Sequence, residues 1–377
     1  MRSFIGLGVL LAAVPASART LVVRPGRPPT IQEAVNRASA GDRIVVHPGT
    51  YIEGGTAGTA LTITKDGIEL VGLSSSDEHV ILASAGTQSY GIWVSPANSL
   101  HNRARDDEDP LCAHPDTAAV LRGFSIRGFT IRGFATHGVH LACVDGFSIV
   151  DNRSEDNRVY GLFPVLSRHG LVAGNVVTGT TDDAAVYVGQ SERVLITGNR
   201  VDRSLIGIEI ENCGNCAAVA NEIHDNTAGI LVDLLPGLQR GTLENTLVAF
   251  NSVRDNNRTN NATEGVLSVL PAGSGIVVVG GRRTTVLAND VRTNGFVGIG
   301  VATYCFAYDQ LRKPGDPDCH DLGIDPDPRD DRVIGNRLKG NGTDLIWIPS
   351  GDGTSDGNCW SGNKFTTSSP VQLPSCQ

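Results

Sequence analysis

Three carboxylates in two neighbouring segments of this chain could share one piece of chemistry. The segments Gly207-Ile-Glu-Ile-Glu and Gly229-Ile-Leu-Val-Asp belong to a set of similar stretches beginning at Gly138, Gly161, Ala185, Gly207, Gly229, Gly275 and Gly298. Each stretch alternates as a strand does, so successive side chains fall on opposite faces. When the stretches are aligned, their outward positions form two columns. One reads His140, Phe163, Tyr187, Glu209, Leu231, Val277, Gly300, and the other Ala142, Val165, Gly189, Glu211, Asp233, Val279, Ala302. Glu209, Glu211 and Asp233 become neighbours, with Tyr187 one strand from Glu209. Stacked carboxylates repel, so such a group takes up a proton or binds a cation. A carboxyl that keeps its proton near neutrality can act as a general acid, which makes Glu209, Glu211 and Asp233 the catalytic candidates. Tyr187, Phe163 and His140 offer flanking rings suited to a sugar. Arg168, His169 and Gln190 in the following turns, with Asp182 and Asp183 in the preceding ones, complete the expected substrate-binding set. The competing reading is a solvated polar face whose acids keep a sheet soluble.

The repeat that must position these residues is carried by asparagine. Asn152, Asn175, Asn199, Asn221, Asn251, Asn289 and Asn336 recur at intervals of 23, 24, 22, 30, 38 and 47 residues. Five positions further on stand Asn157, Thr180, Ser204, Asn226, Asn256, Asn294 and Asn341. A period above about 20 residues means stacked supersecondary units. Two or three short strands per period, with no helix between them, predict an all-β fold: a single-stranded, right-handed parallel β-helix. Asn tolerates the left-handed bends between strands, and stacked amides can bond from rung to rung. The asparagines are therefore read as structural.

Three insertions lengthen the period. Segment 95–117 carries Asp106-Asp-Glu-Asp109, Cys112 and His114; segment 258–273 is Asn-rich and loop-like. Segment 303–332 holds Asp316, Asp318, Asp321, Asp325, Asp327, Asp330 and Asp331. Long loops on a rigid coil form the walls of grooves. The last could bind Ca2+ through several carboxylates, although it lacks the Gly bend and terminal Glu of a calcium hand. No metal ligand set is defined by the sequence.

A coil needs closed ends. Thr30-Ile-Gln-Glu33 is a capping box, and Ile31, Ala34, Val35 and Ala38 fall on one face of the helix it begins. Arg43-Ile-Val-Val46 is expected to start the first strand. The body runs over 19–351, and 352–377 is expected to be a loop-like C-terminal cover. Residues 1–18 have Arg2, an apolar run and Ala16-Ser-Ala18, the pattern of a signal peptide. That run is too short for a membrane span, so an exported chain, periplasmic or extracellular, is expected. Eight cysteines then suggest disulfides. Sequence proximity favours 213–216, 305–319 and 359–376, leaving 112–143, while Cys213-Gly-Asn-Cys216 could instead be a redox or zinc pair. A net charge of −9 argues against nucleic acid.

Thr30-Ile-Gln-Glu-Ala-Val, Gly41-Asp-Arg-Ile-Val-Val and Pro48-Gly-Thr-Tyr resemble the N-terminal cap of pectate-lyase-like proteins, the carbohydrate-binding and sugar-hydrolase β-helix superfamily. Tyr160-Gly-Leu-Phe-Pro-Val, Tyr187-Val-Gly-Gln-Ser, Gly207-Ile-Glu-Ile-Glu-Asn and Gly229-Ile-Leu-Val-Asp resemble the exported bacterial, NosD-like β-helix repeat proteins. The resemblance covers nearly the whole mature chain and implies the fold. Of the polygalacturonase motifs only Asp182-Asp183 is present, and the Asp-Pro-His-Glu of mannuronan epimerases is absent. Periplasmic copper-maturation β-helix proteins share the repeat, but one Met and scattered His make a poor copper set. The expected role is recognition or processing of a polysaccharide or cell-envelope glycan. It would be enzymatic, as a lyase, hydrolase or epimerase, or else non-catalytic, as a binding scaffold working with a protein partner.

Overall fold

The computed structural model describes residues 18–54, 58–97, 120–263, 265–349 and 356–376. The expected signal peptide, except Ala18, and residues 98–117 of the first insertion lie outside them. The chain winds as a right-handed parallel β-helix of three sheets. Among the described residues, sheet 1 has 12 strands, from Thr20–Val23 to Cys359–Ser361; sheet 2 has 11, from Thr59–Ile63 to Ser368–Ser369; sheet 3 has 10, from Gly49–Tyr51 to Arg337–Lys339. Rung stacks on rung in register. Ile149, Val172, Ile196, Ala218, Val248, Val286, Val333 and Trp360 form one such column inside the coil. All of them are buried. Among the described residues no helix is long and apolar enough to cross a membrane.

The asparagine ladder forms as expected. The backbone N–H of Asn175 donates to Asn199 Oδ1 at 2.9 Å, and Asn175 Nδ2 donates to the same oxygen and to Ile149 O. The pattern repeats through Asn199, Asn221, Asn251, Asn289 and Asn336, and reaches Asn363. Bends that leave backbone groups unpaired inside the coil are thus satisfied by side chains of the next rung.

The start of the coil carries helix α1, Ile31–Arg37, with both arms of the capping box in place. Its Ile31, Ala34 and Val35 close the core. Strand Thr20–Val23 precedes it, so Arg43–Val46 is the second strand of sheet 1 and not the first. The C-terminal segment also differs from a loose cover. Cys359–Ser361 pairs with Arg332–Ile334, and Asn358 and Asn363 extend the side-chain ladders. Those asparagines supply what another turn of coil needs, although the apolar alternation has faded.

Disulfides Cys305–Cys319 and Cys359–Cys376 are present as expected. Cys143 is disulfide-bonded, and Cys112 lies outside the described residues. The expected 213–216 bridge is not formed: both cysteines are free and buried. Each sulfur fills a place inside the coil, Cys213 Sγ lying 3.1 Å from Val188 O and Cys216 Sγ 3.6 Å from Gly214 O. The two side chains behave as small core residues.

One rung carries an avoidable cost. Asp331 Oδ1 accepts from Thr284 N at 2.6 Å, but Oδ2 is buried without a partner. Burial holds its pKa well above the ordinary carboxylate value. In the next rung the amide of Asn358 uses its nitrogen to reach Pro328 O at 2.8 Å. The raised folded-state pKa means that stability is complete below about pH 4 and is lost as pH rises through the folded value. Asp331→Asn should therefore stabilise the protein by about 1–3 kcal/mol at pH 7, with the gain shrinking towards pH 4. Thermal melts at the two pH values check this; an equal gain at both would contradict it.

Candidate functional site

The expected columns exist. In sheet 2, Tyr187 pairs with Glu209, Gly189 with Glu211, Glu209 with Leu231 and Glu211 with Asp233. One carboxylate oxygen from each of Glu209, Glu211 and Asp233 lies within 4.8 Å of the others. Tyr187 reaches this group because position 189 is glycine. A Cβ there would lie 1.8 Å from Tyr187 Oη, so the ring leans over the bare backbone. Its hydroxyl then donates to Glu211 Oε1 at 2.6 Å.

The face is not solvated, which overturns the reading of these acids as a solubilising surface. Glu209, Glu211 and Asp233 are 3%, 7% and 2% exposed. The 258–273 and 303–332 insertions fold over them as a roof. Helix α2, Tyr304–Leu311, supplies Tyr304 and Tyr308, and Val266, Leu267 and Leu270 come from the 258–273 segment. These apolar residues pack on the outer side of sheet 2, so burial there needs no core position inside the coil. Burial is the largest cause holding the carboxyls of Glu209 and Asp233 well above their usual range, and each feels its acidic neighbours. Asp183 is pushed up to about 7, again chiefly by burial. Asp183 and Glu209 meet through a side-chain hydrogen bond, in which one carboxyl supplies the proton, whereas Asp233 Oδ1 is buried without a hydrogen-bond partner.

The other candidates divide. Asp183 joins the site, accepting from Tyr160 Oη at 2.8 Å. Asp182 turns away to pair with Arg158 at 2.6 Å. Phe163 and His140 do not present their faces to a ligand. Trp93 stacks on His140 at 3.8 Å and Phe163 on Tyr187 at 4.5 Å, in one buried aromatic stack. Arg168 and His169 lie at the start of a sheet 1 strand and bind Asp145 at 2.9 and 2.7 Å, apart from the cluster. Gln190 Oε1 accepts from Gln239 N at 2.8 Å and anchors the loop that follows Asp233. In the acidic insertion, Asp325 is held by Arg329 and Asp327 by Thr303, while Asp318 pairs with His320. Among the described residues its acids bring no three ligand atoms together.

A third outward column lies beyond the two that alternation gives. Tyr90, His137 and Tyr160 pair in register and pack on the outer aromatics. Strict alternation would turn them inward. The small residue after them is the reason: a Cβ on Gly161 would meet Val177 Cγ1 at 2.4 Å inside the coil. The strand bends there, so the preceding residue faces out. Recurrence of Tyr, His and Tyr immediately before the small residue is the signal that could have found this column. Tyr304 has none, since its approach to Asp233 depends on how the insertion folds.

Asp233 also borders a slot with a cavity of about 90 Å³ between this face and its roof. Leu231, Val277 and Gly300 form its floor, and Leu270, Phe306 and Ala307 its walls. It opens at Gly300, where the column that carried Phe163 and Tyr187 has no side chain.

A family profile described as periplasmic copper-binding protein (NosD) matches residues 35–261, more than half of the chain. The chain belongs to the NosD family. As a NosD-family chain it shares its coil with solved carbohydrate-active proteins. It is 15% identical to the Azotobacter vinelandii mannuronan C-5 epimerase AlgE6 A-module, with a TM-score of 0.53 over 89% of this chain and 91% of that one. It is 17% identical to the periplasmic alginate epimerase AlgG, with a TM-score of 0.54 over 93% of this chain and 73% of that one. At such identities the likeness is one of fold. No curated protein matches the chain.

Proposed function

We propose that this is an exported, periplasmic β-helix protein that recognises or processes a polysaccharide or cell-envelope glycan at the Glu209–Glu211–Asp233 cluster. The observation that carries the reading is the convergence of three buried carboxylates with a tyrosine hydroxyl 2.6 Å from one of them. Glu211 with Tyr187 is an oriented acid–base pair, and Glu209 and Asp233 stand beside it. Substrate would approach along the slot that Asp233 borders. Its apolar floor suits the carbon face of a sugar ring better than the hydroxyl edge. Proteins of the same coil that act on alginate support the substrate class by analogy.

The test is incubation of the mature protein with acidic and neutral polysaccharides, read for new reducing ends, unsaturated products and epimerised residues. A product supports enzyme chemistry. Retention on one glycan without product supports a binding role; neither removes the glycan reading and leaves a scaffold for a protein partner.

A second reading follows from the family description, copper binding. His137 Nδ1 and His140 Nδ1 lie 2.9 Å apart, a spacing two imidazoles on one metal could have. The carboxylate cluster does not fit copper, being made of oxygen donors only, and the free thiols Cys213 and Cys216 sit inside the coil. Copper titration of the wild type and His140→Ala tests this reading, which requires binding that the variant loses.

A further inference from the structure

We infer that Glu209, Glu211 and Asp233 form a site for a hard divalent cation of the Ca2+ class. This rests on the reading of the same cluster and deepens it, adding the unpartnered buried oxygen of Asp233 as its own observation. Ca2+ sits about 2.3–2.6 Å from its oxygen ligands, so atoms sharing one ion lie no more than roughly 5 Å apart. One oxygen from each of the three residues meets that limit, all within 4.8 Å of one another.

A cluster of acids alone would not identify a ligand. Here Asp233 Oδ1 is buried, in a residue only 2% exposed, and accepts no hydrogen bond, while Glu209 meets Asp183 through a side-chain hydrogen bond. When ionised, a buried carboxylate oxygen in this state carries the full cost of lost hydration. A divalent ion held by the three carboxylates supplies the missing partner and offsets their mutual repulsion. Tyr187 fixes Glu211 from the other side through its Oη, which holds that carboxylate in place.

Donor chemistry selects the ion. Every ligand is a carboxylate oxygen, the set that suits Ca2+, Mg2+ and Mn2+ rather than the nitrogen and sulfur sites of copper or zinc. The three residues come from adjacent strands of a rigid sheet, so their separation is set by backbone pairing and not by a loop.

The test needs no glycan and so separates this inference from the proposed function. Chelator-stripped protein is titrated with Ca2+ and with Mn2+, by calorimetry and by electron paramagnetic resonance respectively, and melted with and without Ca2+. The wild type should bind one ion and melt several degrees higher with it. Glu209→Gln and Asp233→Asn should each weaken binding at least tenfold, yet melt in chelator at or above the wild-type temperature, because each replaces a buried carboxyl that is costly to ionise by a neutral amide of similar size. Asp318→Asn in the exposed acidic insertion should bind as the wild type does. Absence of Ca2+ and Mn2+ binding by the folded wild type would overturn the inference. Unchanged binding in both cluster variants, or loss of binding in Asp318→Asn alone, would do the same by placing the ion elsewhere.

Discussion

Glu211→Gln should reduce glycan turnover at least about a hundredfold while leaving the coil folded, which is the usual scale for removing a positioned acid or base. Glutamine keeps the size of the side chain and an oxygen able to accept from Tyr187, whose hydroxyl sits 2.6 Å from Glu211 Oε1. It cannot carry or release a proton, and as a neutral ligand it weakens a bound cation. The rung survives because Glu211 is held by backbone pairing to Gly189 and Asp233. Circular dichroism and melting report the fold, and initial rates on the best glycan report the chemistry. Unaltered rates in a folded variant would remove Glu211 from the catalytic assignment. Loss of retention with no turnover in either protein would move the cluster to a binding role.

Asn221→Ala should destabilise the protein by about 3–5 kcal/mol, the largest loss expected from any one polar side chain in the coil. Asn221 Nδ2 donates to Ile196 O and to Asn251 Oδ1, both at 3.0 Å. Its Oδ1 accepts from Asn199 N at 2.9 Å and from Asn199 Nδ2 at 3.0 Å. Alanine leaves the Asn199 N–H, the Asn199 amide and the Ile196 carbonyl with one partner fewer in a buried region. Each group left unpaired costs about 1–3 kcal/mol, and neighbouring rungs lose their alignment as well. Asn245→Ala is the control. That residue is exposed, contacts Asn215 and Arg283 by side chain and has a left-handed backbone that alanine tolerates less well, so its loss should cost only about 1–2 kcal/mol. Equal melting temperatures for Asn221→Ala and wild type would show that the ladder does not hold the coil together.

The ladder is legible in the sequence because its cause is local and periodic. From Asn152 onwards each turn of coil meets the same bend, and the same side chain answers it. The outward columns are legible for a related reason, since strand register follows from aligning equivalent residues. Alignment alone therefore places Glu209, Glu211 and Asp233 together. The environment of those residues is a different matter. On the sequence, outward from the coil reads as outward to water, and the roof made by Tyr304, Val266, Leu267 and Leu270 reverses that. Insertions have no period to read, and their path is set by which apolar surface they can cover.

Other misplacements share that origin. Arg168 and His169 are close to the site in sequence, but a left-handed residue at Leu166 turns the chain onto sheet 1, where Asp145 takes both. Tyr160 reads as inward when alternation is extended through Gly161, where the strand in fact bends. Proximity pairs Cys213 with Cys216, and the two thiols do meet through a side-chain hydrogen bond, but inside the core and as free cysteines.

The sequence by itself therefore determined the coil, the stacking of short strands, the asparagine bends and the adjacency of the three acids. Each rests on hydrogen bonding and side-chain alternation that repeat from one turn to the next. Only the tertiary structure decided that the acids are dry, that Tyr187 crosses Gly189 to reach them, and that Asp233 opens on an apolar slot. Those features depend on contacts between segments with no shared period, where burial of whichever surfaces meet outweighs any local preference.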